Sequence, residues 1–510
     1  MRNSRARRLA ALFVGLLIVG GALPASAGSS DPNGVAAGWE DASTTKMAAE
    51  EEPGSIYWIA HYTVEAVDYW NAGFTGDGVD IALIDTGVAP VKGISTHGGL
   101  FNGPDLSFES QSDDLRYTDN NGHGTHLAGI MAGKHGNAEV SADTPKRFLG
   151  IAPDSRVLNV KVGTANGAVD VSQVIAAIEW VVEHKSDNGL NIRVLNLAYG
   201  TDSLQPWEAD PLAYAVQNAW DAGIVVVVAA GNDGNDGPLR NPATNPSVIA
   251  VGSSTNNATP TSADDRLSVF SSCGTTARPV DVLAPGKSIV SLRAPGSYAD
   301  INHPEARIGK DFFVGSGTSQ SAAVVSGAAA LIIDQRPGIS PDEVKALITS
   351  SAQPLSGPSG SCQGGGVVNL GNALNAETPS NSQSHGLATG LGTLEGARGS
   401  AHVALNGHIL EGEQDIFGNP WIPCGSTATP LASIAEELND AQSECETAAT
   451  SHWQEGGYWN GAQWTGVTWS GVTWSSVTWS GVTWSGVTWS GVTWSGVTWS
   501  GVTWSGDAWN

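Results

Sequence analysis

The sequence is short of positive charge. Lys and Arg total 24 against 50 Asp and Glu in 510 residues, a formal net charge of −26. A surface of that sign repels phosphate backbones, which excludes nucleic acid as a partner. Cysteine is scarce too, with only Cys273, Cys362, Cys424 and Cys445. Long apolar runs are missing after residue 23, so no later segment is expected to cross a bilayer.

The one early apolar run, Leu9 to Leu23, follows Arg2, Arg5, Arg7 and Arg8 and is closed by Ala25-Ser26-Ala27. That order of charge, apolar stretch and small residues is the pattern of an export signal. The run is short for a membrane anchor and is broken by Gly15, Gly20 and Gly21. Residues 1–27 are therefore expected to be removed, with the mature chain secreted or held at the cell surface without a transmembrane helix. Removing the four arginines takes the net charge to about −30. An even cysteine count in an oxidising compartment favours disulfides over a metal site. Spacing does not fix the pairing. Cys273 with Cys362 inside the large domain, and Cys424 with Cys445 outside it, is the expected arrangement.

What the sequence does contain is organised around Gly315 to Gly327, GSGTSQSAAVVSG, in which small residues crowd Ser319 ahead of the apolar run Ala322 to Ile333. This predicts a buried helix ending near Pro337, with Ser319 at its N-terminus, where unpaired N–H groups and the helix dipole favour negative charge. Acyl transfer needs such a place, because the attacked carbonyl oxygen becomes an oxyanion. Gly-Thr-Ser is equally good capping chemistry, so Ser319 alone decides nothing.

Residues 28–54 are polar, small and acidic and read as flexible. From Ser55 the texture changes. Short continuous apolar runs follow at 79–84, 157–162, 194–198, 224–230, 248–251 and 280–283, with helical patterns between several of them, as at 171–184 and 211–222. Strands of that kind alternating with helices predict an α/β domain, a parallel sheet covered on both faces, with ligands bound beyond the carboxyl ends of the strands.

Three residues fall at such places. Asp85 ends the first strand run, in Asp85-Thr86-Gly87. His123 stands in Asn121-Gly122-His123-Gly124-Thr125-His126, just before the helical run Leu127 to Met131. Asn232 follows the strand run at 224–230, in Ala229-Ala230-Gly231-Asn232. Each has an ordinary explanation in turn and capping chemistry. Together with Ser319 they divide the work of a single reaction. Ser319 attacks a carbonyl, His123 takes and returns the proton, Asp85 orients the imidazole, and Asn232 joins the Ser319 N–H in holding the oxyanion.

These four segments, with Gly317-Thr318-Ser319 as the last, resemble the signature blocks of the subtilisin-like serine peptidases, the subtilases. The resemblance runs from about Ile56 to Leu374 and closes with Gly366-Val367-Val368-Asn369-Leu370. It implies a three-layer, subtilisin-like α/β fold and extracellular hydrolysis of peptide bonds by a secreted endopeptidase acting on protein or peptide substrates. In this family the first histidine of the motif is the base, which makes His126 a neighbour. The sequence departs from the family at Gln320-Ser321-Ala322-Ala323-Val324, where a helix-opening proline is usual; the helix is expected to form regardless, since alanine favours it. The segment expected to pair with substrate is Ala198-Tyr199-Gly200, in place of the usual Ser-Leu-Gly. No folding-assisting propeptide domain is expected before Ser55, so folding would be unaided or helped from elsewhere in the chain. No cofactor is required for the chemistry. Structural calcium is common in the family, and Asp113-Asp114 and the 233–236 loop are the candidate positions, although no full ligand spacing is visible and solvated turns account for them as well.

The peptidase domain is thus expected over 55–374, followed by a Ser/Thr/Pro/Asn/Gly-rich linker at 375–386 and a small module of unassigned activity at 387–452. In the last part, 453–510, Trp459 and every fifth residue through Trp509 is tryptophan, mostly in Gly-Val-Thr-Trp-Ser units. A step of five gives no continuous aromatic face on a helix or a strand. The composition favours β or extended structure, for instance short strands with a corner at each glycine. Exposed tryptophans suit the sugar rings of a cell wall or other surface, and a self-associating tail is the competing account. A surface adhesion protein carrying an inactive peptidase domain is the alternative for the whole chain.

Overall fold

A computed structural model describes residues 54–421, apart from 96–97, 111, 137–139, 141–147, 258, 260–263, 358–359, 381–382, 406–407 and 417–420, together with five short strands between residues 473 and 493. The export signal, Cys424, Cys445 and most of the tryptophan repeat lie outside the described residues.

The central element is an eight-stranded sheet. Its strands are β1 (Asp80–Asp85), β2 (Leu100–Asp105), β3 (Arg156–Lys161), β4 (Ile192–Leu197), β5 (Val225–Ala229), β6 (Ile249–Thr255), β7 (Arg266–Leu267) and β8 (Val282–Pro285). The order is β2-β3-β1-β4-β5-β6-β7, with β8 also paired to β6. Every pairing is parallel except that of the two-residue β7. Every residue of β1 and β5 is buried, as a strand covered on both faces must be, and this is why these strands read as unbroken apolar runs.

Helices supply the covers. α1 (His123–Ala132) packs against α4 (Thr318–Gln335), and α4 lies across β4, β5 and β6; α2 (Val171–Glu183) and α3 (Pro211–Asp221) pack on each other and on β1 and β5. Their starts are written locally. Asp170 and Gln173 form a capping box at α2, and Asp210 caps α3 ahead of Pro211. Helix α4 forms without the family's opening proline and is buried along nearly its whole length. Its small residues have a packing reason: a Cβ on Gly327 would stand 2.6 Å from the Cβ of Ile151.

Two features differ from the sequence expectation. β2, at one edge of the sheet, was not anticipated, because Leu100–Asp105 carries Asn102, Gly103 and Pro104 and only Asp105 of its residues is fully buried. A second, antiparallel sheet of Ile289–Leu292, Arg307–Ile308 and Phe312–Gly315 delivers the chain to α4. The Cys273–Cys362 disulfide is formed. Residues beyond the linker expected at 375–386 pack onto the same core, with Leu394 and Ala397 inside it. In the tail, Val482–Trp484 pairs antiparallel with Val487–Trp489, and Thr473–Trp474 with residues 403–404.

Candidate active site

The sheet brings the ends of β1, β4 and β5 side by side, since β4 pairs with both neighbours. Beyond β1 the chain turns toward β2 and β3 on one side, and beyond β4 it continues to β5 on the other. The mouth between β1 and β4 is therefore a topological switch point, where such sheets bind ligands.

Asp85 is the last residue of β1 and His123 the first of α1, both buried. The His123 Nδ1 lies 2.7 Å from Asp85 Oδ1. A carboxylate oxygen can only accept here, so Nδ1 carries the proton and Nε2 is the basic nitrogen. The same Asp85 oxygen accepts from the Thr86 N–H at 2.7 Å. The approach of the two segments requires glycine. A Cβ on Gly124 would fall 2.1 Å from the Gly87 carbonyl oxygen, and Gly87 itself has φ 107°.

The turn that presents His123 is held by Asp119, which the sequence reading missed. One Asp119 oxygen accepts from Thr86 Oγ1 (2.9 Å), Asn121 N (3.1 Å) and Gly122 N (2.7 Å), and the other from Thr125 N (2.8 Å). Thr86 Oγ1 in turn accepts from Gly124 N at 3.0 Å. An acidic residue shortly before a helical run was the available signal. His126 is directed elsewhere, with Nε2 3.1 Å from the carbonyls of Ile289 and Phe313. Burial above all, and then the nearby His123, push its pKa down to about 3.

A second support comes from residues 293–307. Tyr298 N donates to Asn120 O (2.7 Å) and Ala299 N to Asn121 O (2.8 Å), so this segment grips the turn ahead of His123. It is tied together by Asp300, which accepts from Arg293 Nη2 (2.8 Å), Gly296 N (2.8 Å) and Arg307 Nε (2.7 Å). Burial alone would raise the Asp300 pKa, but the Arg293, Gly296 and Arg307 bonds outweigh it and hold it at about 2. A carboxyl depressed below its unfolded value of about 3.9 stabilises the fold fully above that pH and loses the contribution as pH falls toward 2. Asp300→Asn should therefore lower Tm at neutral pH, with the gap to wild type closing below about pH 4. Equal melting temperatures at neutral pH would refute this role.

On the other side of the mouth, Ser319 is the second residue of α4 and is buried. Asn232 follows β5, and its Oδ1 accepts from the Thr318 N–H at 2.9 Å. Only the oxygen end can accept from an N–H, so this contact assigns the amide and fixes the direction of its donor end. Gly231 N also donates to Thr318 Oγ1 at 3.2 Å. The structure thus joins His123 to Asp85, and the Asn232 turn to the residue before Ser319. Ala198, Tyr199 and Gly200 lie at the carboxyl end of β4 between the two groups, all buried.

At the first of the candidate calcium positions in the 233–236 loop, Asp233 is paired with Arg240. Both of its oxygens accept from Arg240 at 2.6 Å, and among the described residues no three His, Cys, Asp or Glu side chains converge. Among the described residues no helix is long and apolar enough to cross a membrane.

Residues 76–387 match the model of the Subtilase family. The chain is 36% identical over 307 residues to Serine protease AprX of Bacillus subtilis (strain 168), covering 59% of this chain and 67% of that protein. It is 34% identical over 286 residues to Subtilisin DY of Bacillus licheniformis, covering 56% and 86%, and 33% identical over 310 residues to Subtilisin of Bacillus pumilus, covering 60% and 94%.

Proposed function

Because the chain belongs to the subtilase family and is a serine-type endopeptidase, we propose that Asp85, His123, Ser319 and Asn232 carry the reaction through an acyl-enzyme. The observation that bears most on this reading is the 2.7 Å contact of His123 Nδ1 with Asp85, which leaves Nε2 as the basic nitrogen. Ser319 Oγ attacks the peptide carbonyl while His123 Nε2 takes its proton. The carbonyl oxygen becomes an oxyanion that accepts from Asn232 Nδ2 and the Ser319 N–H. His123 then protonates the leaving amine as the C–N bond breaks. Water repeats the sequence on the ester and frees Ser319. Asp85 keeps the imidazole in the tautomer needed and stabilises its charged form. Ala198-Tyr199-Gly200, at the end of β4, receives the substrate backbone beside this group.

The export pattern at residues 1–27 supports a secreted enzyme. The tryptophan repeat serves to attach it to a surface, with cell-wall glycan as the partner, since sugar rings stack on indoles. An activated ester tests the catalysis, and sedimentation with cell-wall material tests the attachment. The full chain and a chain ending before Trp453 should each give a burst of one product per enzyme followed by slow turnover, absent in Ser319→Ala. Only the full chain should sediment with cell-wall material. A burst surviving in Ser319→Ala would sink the catalytic reading, and equal sedimentation of the two chains the attachment reading.

A further inference from the structure

The family match ends at residue 387, yet the chain beyond it returns to the loop that leaves Ala198-Tyr199-Gly200. Thr201 Oγ1 donates to the Ala397 carbonyl at 2.7 Å. Gln205 Nε2 donates to the Thr393 carbonyl (2.8 Å) while its Oε1 accepts from Thr393 N (2.7 Å). Ser400 donates to Asp202 through its N–H (2.7 Å) and its hydroxyl (2.6 Å). The fit is close: a Cβ on Gly396 would stand 2.4 Å from the Gln205 side chain, and one on Gly399 2.2 Å from Asp202.

Beneath these contacts is a buried ion pair. Arg398, at the end of the short helix Leu394–Arg398, is 0% exposed and Asp170 is 2% exposed. Arg398 Nε donates to Asp170 Oδ2 at 2.7 Å, and its remaining nitrogens reach the Gly412 carbonyl (2.7 Å), the Gln414 carbonyl (2.5 Å) and Glu395 (3.3 Å). Asp170 is also the cap of α2, accepting from Ser172 N at 3.0 Å. Tyr199 lies in the field of this pair. Burial first, and then the Asp170 charge, raise its hydroxyl well above the ordinary value, with Arg398 pulling the other way. A buried charge pair is costly to assemble and adds little net stability over an apolar pair, so its value lies in fixing one arrangement.

We propose that the segment 393–400, backed by residues 412–414, forms a clamp that sets the position of the substrate-pairing segment Ala198-Tyr199-Gly200, with Arg398 as the positioning residue that locks it through Asp170. The clamp's bonds described above run to Asp170, Thr201, Asp202 and Gln205, so it acts on how an extended peptide is held. This rests on the catalytic reading, and its test separates the two.

The probes are a tetrapeptide p-nitroanilide, which needs the pairing segment, and p-nitrophenyl acetate, which is too short to use it. Arg398→Met should raise KM for the tetrapeptide about tenfold or more, while the acetate rate and the tetrapeptide kcat stay within about threefold. Arg398→Lys, which keeps the charge but not the fork, should fall between. Should Arg398→Met fail to fold by near-ultraviolet circular dichroism, Gln205→Ala/Ser400→Ala carries the test, with an expected rise in KM of about threefold and an unchanged acetate rate. An unchanged tetrapeptide KM in the folded variant, or equal losses on both probes, overturns the clamp. A wild-type chain inert toward the acetate overturns the catalytic reading, and the clamp with it.

Discussion

His123→Ala is expected to lower kcat by about 10⁶-fold while leaving KM within a few-fold, the largest effect of any single change outside the nucleophile. Without an imidazole at that place, the Ser319 hydroxyl attacks as a neutral alcohol and the leaving amine departs unprotonated, so both halves of the reaction lose their proton carrier. What survives is the oxyanion pocket and substrate binding. The fold should survive as well, because Asp119 and the segment tied by Asp300 hold the turn through its backbone and not through the ring. Steady-state kinetics on a tetrapeptide amide, with a melting curve, checks both halves. A loss below about 10³-fold would mean that another group is the base.

Asp85→Ala should cost less, about 10⁴-fold in kcat. The imidazole remains, but nothing accepts its Nδ1 proton, so the ring can turn and adopt the wrong tautomer, and its charged form loses its counter-ion. The Thr86 N–H loses its 2.7 Å acceptor at the same time, so part of the loss is local disorder in the turn. The double variant Asp85→Ala/His123→Ala distinguishes a working unit from two independent contributions. If the pair acts together, the double is no worse than His123→Ala alone; independent residues would multiply to about 10¹⁰.

The parts of this molecule legible in its sequence were those set by local pattern. β1, β3, β4, β5 and β6 are buried on both faces and appear as apolar runs, and α2 and α3 carry their caps beside them. Four short segments were enough to place Asp85, His123, Asn232 and Ser319 at element ends. The rest depends on partners far apart in the chain. Arg398 meets Asp170 across 228 residues, and no feature of either neighbourhood announces the other. β2 hides because an edge strand tolerates Asn102, Gly103 and Pro104, which punctuate loops elsewhere. Asp119 reads as one more acidic loop residue until its four acceptor contacts are seen. Nor does the acidic run at Asp233 announce its partner Arg240, which meets both of its oxygens.

The most direct test of the catalytic group is reaction with a fluorophosphonate followed by peptide mass spectrometry. One adduct is expected, on Ser319, formed by the wild-type chain and lost in His123→Ala. Labelling on a different residue, or equally fast labelling in His123→Ala, would contradict it.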